Sequence, residues 1–416
     1  MRGFYRNYTF NSCNILIPHN DVDLQKWAVI ACDQHTSDMS YWNDLKAKIG
    51  DSLSTINLIF PEVYSNSSNI EKANSIVRNM KYYAKTDCFT QYNNSLIYTK
   101  RELSNGLFRF GIIGCVDLEK YDAEIVKAKT IKPTEKTDIE RLKIRKEIRK
   151  NAALDISHVI LFYQDDQNKI KKMISARFQE LSLIYDFKTL DTGQRVCGYL
   201  IGDKLQTELL MQLNRRIISS KTPLIVADGN HSLLSAKLVY ENYKEFHKDY
   251  LSSPLRYALV EIENLFDQEI EIKPIHRYIY NIDKNNFLDS LKDYLKNLDC
   301  EKQSKDYFII NVYIGKECHT LKVPNIDKIM PVEIIQKFID NYLFLNKGDC
   351  DYVHELEKII ELTNNNDNSV GIEFGMIDKQ IIADRVNCNK IFERKTFSVG
   401  ESDDKRYYLE IRNLMK

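Results

Sequence analysis

A short apolar run, Leu224-Ile225-Val226-Ala227, stops at Asp228-Gly229 and gives way at once to Asn230-His231-Ser232 and a segment of helical spacing. Four apolar residues bounded by turn residues read as a strand buried on both faces. Leu233, Leu234, Leu238 and Val239 form the apolar side of the helix that follows. Gly229 allows the chain to turn sharply between the two. The joint therefore places a carboxylate, Asp228, at a strand end and the first free N–H groups of a helix at Asn230, His231 and Ser232. Unpaired amides and the helix dipole both favour an anion there, above all a phosphate. Asp228 beside it suits a general base or a magnesium ligand. The same residues are also ordinary turn chemistry, with Ser232 as an N-cap. The rest of the chain has to decide between these readings.

Strand-like and helical runs alternate along most of the length. Strands are expected at 15–18 and 28–31, helices at 41–49 and 70–83, and a hairpin at 95–102 and 107–115 around Asn105-Gly106. A charged helical segment spans 138–150, and a strand follows at 158–163. A helix, two strands and a further helix lead to the Asp-Gly joint, and strands follow at 254–263 and 274–280. The class is α/β in the mixed α+β sense. At 416 residues more than one domain is expected. The division is an N-terminal α/β region at 1–125 that binds substrate, a catalytic core at 126–285 and a C-terminal α/β region at 286–416.

Composition removes several function classes. Lys+Arg and Asp+Glu both number 59, so the basic excess of a nucleic-acid protein is missing. No apolar stretch is long enough to span a membrane. The nine cysteines are scattered without a C-x-x-C pair, and no secretory signal precedes them, which reads as reduced thiols in a cytoplasmic protein. Cys318-His319 and Cys350 with His354 match no ordinary zinc spacing.

Local cation is not missing. Arg141, Arg145 and Arg149 fall at i, i+4 and i+8, one stripe of a helix. A solvated charged face is the ordinary meaning of such a run. Three arginines in register repel one another unless an anion lies between them, and arginine grips phosphate through paired donors. Thr134-Glu135 after Pro133 brings a second carboxylate to the start of this helix. The strand at 28–31 ends in Cys32-Asp33-Gln34-His35-Thr36-Ser37, where Asp33, Gln34 and Thr36 are candidates to hold an amino or hydroxyl group. Thr36 or Ser37 as a helix cap is the plainer reading. Pro274-Ile275-His276-Arg277, Arg394-Lys395-Thr396-Phe397-Ser398 and Lys405-Arg406-Tyr407-Tyr408 add further cation.

Together these segments resemble a widespread microbial family of formerly unknown function, sometimes labelled ParB-like. The resemblance runs from Lys26-Trp27-Ala28-Val29-Ile30-Ala31-Cys32-Asp33-Gln34 and Leu58-Ile59-Phe60-Pro61-Glu62-Val63-Tyr64 through Thr134-Glu135 and the arginine stripe. It continues through 154–158, Ala227-Asp228-Gly229-Asn230-His231-Ser232, Arg256-Tyr257-Ala258-Leu259-Val260-Glu261 and Pro274-Ile275-His276-Arg277 to the two C-terminal cationic segments. The D-G-x-H element is similar to that of free L-serine kinases of the ParB/sulfiredoxin-like superfold. The resemblance implies a ParB/sulfiredoxin-like catalytic core with additional α/β domains, and phosphorylation of the hydroxyl of free L-serine to O-phospho-L-serine. It implies pyrophosphate as donor in some members, with ADP or ATP as other donors, and Mg²⁺ as cofactor. Asp228 then serves as base or metal ligand, with Glu135 as the second catalytic carboxylate. Gly229, Asn230, His231, Ser232, Arg141, Arg145 and Arg149 bind phosphate, and Asp33, Gln34 and Thr36 bind the amino acid. Ser232 departs from those kinases, which often carry arginine there. Three other readings compete. A ParB-like nucleotide-dependent DNA-binding protein would show a basic surface and a helix-turn-helix. A sulfiredoxin-like repair enzyme would place a cysteine where Asn230-His231 stands. A pyrophosphate or nucleotide hydrolase would use water in place of serine.

Overall fold

A computed structural model of the chain describes residues 7–32, 38–64, 69–137, 139–156, 159–219, 221–302, 305–326 and 329–415. Helices and strands alternate through them, and the fold is mixed α/β. The chain forms two compact units. The first comprises Met1–Ile270, Ile382–Ile391 and Ser402–Lys416; the second comprises Glu271–Ile381 and Phe392–Glu401.

The first unit is organised by one large sheet. Its strands run in the order Leu181–Lys188, Arg195–Ile201, Ile97–Glu102, Phe108–Asp117, Tyr257–Asn264, Val159–Tyr163, Leu224–Asp228 and Ile131–Lys132, with Phe10–Asn11 added beside Phe108–Asp117. Strands from both sides of position 125 thus lie side by side, because Tyr257–Asn264 pairs antiparallel with Phe108–Asp117 and parallel with Val159–Tyr163. The hairpin around Asn105-Gly106 forms as its turn chemistry predicts, with Gly106 at φ +79°.

Alternation along the strands divides their side chains between two cores. Tyr98, Ile112, Val116, Val260 and Ile262 enter one core, together with Leu205, Leu209, Leu213 and Ile217 from one stripe of helix Asp203–Ser219. Each such fully buried leucine or isoleucine contributes roughly 1.5–3 kcal/mol. Ile97, Ile113, Val196 and Leu259 enter the other core, which also holds Trp27, Trp42 and Tyr408. Helix Asn69–Tyr83 buries Ala73, Ile76, Val77, Met80 and Tyr83, the 3.6-residue rhythm visible in its sequence.

Two local expectations are corrected. Strand Tyr257–Asn264 starts later than position 254, because Pro254–Arg256 forms a 3-10 turn capped by Ser253. Leu238 is 37% exposed, whereas Leu233 is fully buried. Five residues on from Leu233, a helix of 3.6 residues per turn has rotated it out of the core.

The C-terminal residues return through the first unit as a strap. Tyr407 and Tyr408 pair with Ile30 and Val29. Ile411 exchanges two backbone hydrogen bonds with Leu16, and Arg412 pairs with Asp155.

The second unit holds an antiparallel sheet in the order Glu317–Pro324, Tyr307–Ile314, Ser369–Phe374, His276–Tyr280 and Asp349–Val353. Phe287 meets Phe338 and Tyr342 edge-on between helices Lys284–Lys302 and Pro331–Asn346. Asn364 through Asn368 form a mostly exposed helix end and turn, as their composition suggests. No helix among the described residues is long and apolar enough to cross a membrane. All nine cysteines are free thiols.

Candidate functional site

Strand Leu224–Asp228 lies between Val159–Tyr163, antiparallel to it, and Ile131–Lys132, parallel to it. It delivers Asp228 to the turn, where Gly229 adopts φ +84° and ψ 28°. Only glycine takes this conformation without strain. A Cβ there would also stand 3.1 Å from Arg406 Nη1 and 3.3 Å from Val159 Cγ2. Gly229 is the N-cap of helix Asn230–Phe246, so Ser232 is the third helical residue and not the cap. The first bond within this helix runs from Leu233 N to Gly229 O at 3.0 Å. The N–H groups of Asn230, His231 and Ser232 precede it, in the first turn of the helix. Asp228 is half-buried, and among the described residues its carboxylate makes no hydrogen bond or ion pair.

The neighbouring parallel strand brings in the second carboxylate. Its register, Leu224 with Ile131 and Ile225 with Lys132, carries the chain on to Thr134 and Glu135 at the same end of the sheet. Thr134 Oγ1 donates to Val226 O at 2.8 Å, and Asn230 Nδ2 donates to Thr134 Oγ1 at 3.3 Å. Thr134 therefore ties its own segment to the motif strand and to the first residue of the motif helix. Asn230 is 6% exposed, and its Oδ1 has no hydrogen-bond partner among the described residues. Glu135 is half-buried.

The arginine stripe lies on helix Ile139–Asn151, packed against the motif helix. Its members have different tasks. Arg145 Nη1 donates to Ser232 Oγ at 3.3 Å, which puts a guanidinium at the third residue of the motif helix. Arg149 turns instead to Asp155, Nη1 to Oδ1 at 2.5 Å, and Arg412 Nη2 meets the other oxygen at 3.1 Å. Burial pushes the Asp155 carboxyl up, but Arg149 and Arg412 outweigh it and hold the group below the ordinary aspartate value. The side chain of Arg141 lies outside the described residues, as do Asp33, Gln34 and Thr36 with His35 and Ser37. Helix Met39–Ile49 is capped by Asp38, whose Oδ1 accepts from Tyr41 N at 3.0 Å.

A cavity of about 930 Å³ opens between these helices. Arg145, Arg149, Ser232 and Ser235 line its polar side, and Phe60 and Met80 its apolar side. Among the described residues no group of three or more His, Cys, Asp or Glu side chains could hold a metal ion. The parallel register brings two carboxylates, Asp228 and Glu135, to this end of the sheet, and one or two carboxylates beside phosphate oxygens are the protein ligands magnesium usually takes.

Reading the sequence missed the partner that claims Arg149 and the approach of Arg406 to Gly229. The signal for the second was faint: an arginine followed by two tyrosines in a tail of mixed charge. The Pro274–Arg277 segment belongs to the second unit. There Arg277 is fully buried between Tyr352 and Phe374 and bonds Gln336 Oε1 at 2.5 Å. Burial without a carboxylate partner lowers it to about 10.

No curated protein matches this chain. Among solved structures it is similar to a free serine kinase in complex with AMP, at 11% identity and a TM-score of 0.37, covering 73% of this chain and 91% of that one. It is also similar to SbnI with C-terminal truncation from Staphylococcus aureus, at 8% identity and a TM-score of 0.38, covering 71% and 85%. A conserved hypothetical protein from Pyrococcus furiosus matches at 11% identity and a TM-score of 0.31, covering 71% and 90%. These scores are low, and the activities in those names belong to those proteins. Residues 16–342 match the family described as "Protein of unknown function (DUF1015)", and the chain belongs to that family.

Proposed function

We propose that the protein is a small-molecule phosphotransferase that phosphorylates the hydroxyl of free L-serine, with pyrophosphate as donor and ADP or ATP as the other candidates. The observation that carries this reading is the motif turn. Asp228, a carboxylate without an ion pair among the described residues, stands immediately before Gly229, the N-cap of a helix that begins at Asn230. Such a start favours a bound phosphate. Arg145 at Ser232 adds a guanidinium to the same place. The choice of serine, and of a ParB/sulfiredoxin-like core, rests on the sequence resemblance.

Phosphoryl transfer asks the protein mainly for positioning and charge neutralisation. The donor would lie on the N–H groups of Gly229, Asn230, His231 and Ser232, with Arg145 against its oxygens and Arg141 on the same helix. Arg149 would act from behind, since Asp155 already holds it. Asp228 would take the proton of the serine hydroxyl as the new O–P bond forms and the bond to the leaving phosphate breaks. Glu135 is the second carboxylate, for the metal or for the base role. Mg²⁺ held by Asp228 and Glu135 would supply charge neutralisation on the donor oxygens. Asp33, Gln34 and Thr36 are the residues proposed for the amino acid.

The test is incubation of the full-length protein with L-serine, Mg²⁺ and, in turn, pyrophosphate, ADP and ATP, with O-phosphoserine as the readout. Its formation with one donor is the expected result. No product with any of the three overturns the reading. Donor consumption indifferent to added serine would make the protein a hydrolase.

A further inference from the structure

The motif turn has a neighbour from far along the chain. Arg406 is 1% exposed, and its Nη1 and Nη2 lie 3.1 and 3.5 Å from where a Cβ on Gly229 would stand. The strap fixes this position. Ala31 N donates to Arg406 O at 2.9 Å, and Tyr407 continues the pairing with Ile30. Two residues earlier, the Asp404 carboxylate accepts from Ser104 N at 2.7 Å, Ser104 Oγ at 3.0 Å and Gln194 Nε2 at 3.1 Å. Arg109 Nη1 donates to the Asp404 carbonyl at 3.0 Å. Further on, Glu410 accepts from the Tyr185 hydroxyl. The backbone that carries Arg406 is thus held by strand pairing and by anchored carboxylates on both sides.

A second observation at the same turn points to a ligand. The buried Oδ1 of Asn230 has no hydrogen-bond partner among the described residues, although Nδ2 of the same amide is held by Thr134. A buried acceptor is normally satisfied, by protein, water or a bound group. Charge gives a further reason to look for more cation. A helix N-terminus offers about half a positive charge, and Arg145 adds one. A diphosphate carries more negative charge than these two offset.

We infer that Arg406 is a phosphate-binding residue of this site, so that the C-terminal strap completes the seat with a second guanidinium, beside Gly229. The inference rests on the reading of the motif turn as a phosphate seat, but not on the identity of the acceptor. Arginine suits the task because its planar fork can pair with two phosphate oxygens.

The experiment is calorimetric titration of the full-length protein with pyrophosphate, without serine, alongside a separate titration with serine. Arg406→Ala should weaken pyrophosphate about tenfold or more, the loss expected for a charge-assisted hydrogen bond, while serine affinity stays within about twofold of wild type. Free guanidinium at millimolar concentration should restore part of the loss. Pyrophosphate affinity equal to wild type in a folded Arg406→Ala protein overturns the inference, as does an equal loss for both ligands without guanidinium rescue. If Arg406→Ala does not fold, Arg406→Lys decides. Weaker pyrophosphate binding at an unchanged melting temperature supports the inference, and unchanged binding overturns it. A wild-type protein that binds neither pyrophosphate nor ADP also overturns it. A protein that binds pyrophosphate through Arg406 yet makes no O-phosphoserine refutes only the proposed reaction.

Discussion

Asp155 and Asp228 are both aspartates at strand ends in the first unit; Arg149 meets the first, and Arg145 of the same helix meets Ser232, four residues beyond the second. Asp155 is 1% exposed and is wrapped by Arg149, Arg412 and the N–H of Leu259, which donates at 3.1 Å. Asp228 is half-buried with no ion pair among the described residues, and Arg145 bonds Ser232. One turn of helix separates the two arginines. The first carboxylate has its charge fully used by the fold. The second has its charge free for something outside the fold. This contrast, rather than burial or motif alone, is the ground on which Asp228 is proposed as the chemical group.

The largest effect that could break the contrast is on rate. Asp228→Asn keeps the shape and removes the charge and the basic site. Serine phosphorylation should fall by roughly two to four orders of magnitude, the usual contribution of a positioned base. Because no ion pair is lost, thermal unfolding should stay close to wild type. Near wild-type turnover would remove Asp228 from the mechanism. A collapse of stability would show that it is structural after all.

Asp155→Asn should do the reverse. It leaves Arg149 and Arg412 buried without a counter-charge, and breaking a buried pair in this way costs about 3–5 kcal/mol. Denaturant unfolding of the first unit is the measurement. Loss of activity should follow loss of folded protein, not precede it. An Asp155→Asn protein of normal stability that had lost pyrophosphate affinity would instead put Arg149 in direct contact with the donor.

This difference between the two aspartates could not be read from the chain alone. The strand at Leu224–Asp228, the turn at Gly229 and the helices at 39–49, 69–83 and 139–151 are local events, set by apolar period and turn chemistry, and they stand in the structure close to where the sequence places them. The arginine stripe was legible as a stripe. What each arginine touches was not, because Arg149 meets Asp155 across a helix end and Arg412 comes from the far C-terminus. Arg406 reaches Gly229 by the same long-range route. Strand pairing between distant segments decides such contacts, and neither period nor propensity encodes it. Leu238 shows the same limit on a smaller scale: its type fits a core face, and its angular position on the helix does not.

The smallest expected effect concerns a third kind of carboxylate. Thr99 and Arg101 meet Glu261, Arg101 meets Glu263 at 2.6 Å, and Tyr185 meets Glu410, all in the interior of the first unit. Gly111 and Gly198 make the room, since a Cβ at either would collide with Glu261 or Tyr185. Unlike Asp155, these carboxylates share too few cations. Burial, above all, raises Glu410 from its ordinary 4.5 to about 7, and raises Glu263 in the same direction. The folded state therefore holds a proton that the unfolded chain releases more readily. The stabilisation this gives is complete below about 4.5 and is lost as pH rises through about 7. Asp155 has the opposite sign: its lowered value gives stability above the ordinary 3.8 that is lost as pH falls through the folded value. Melting temperature should therefore fall from mildly acid to neutral pH in the wild type. Glu410→Gln, which can still accept from Tyr185, should flatten that slope without abolishing it, because Glu263 remains. An identical slope in wild type and variant would mean that Glu410 is ionised like Asp155, and the distinction between them would be lost.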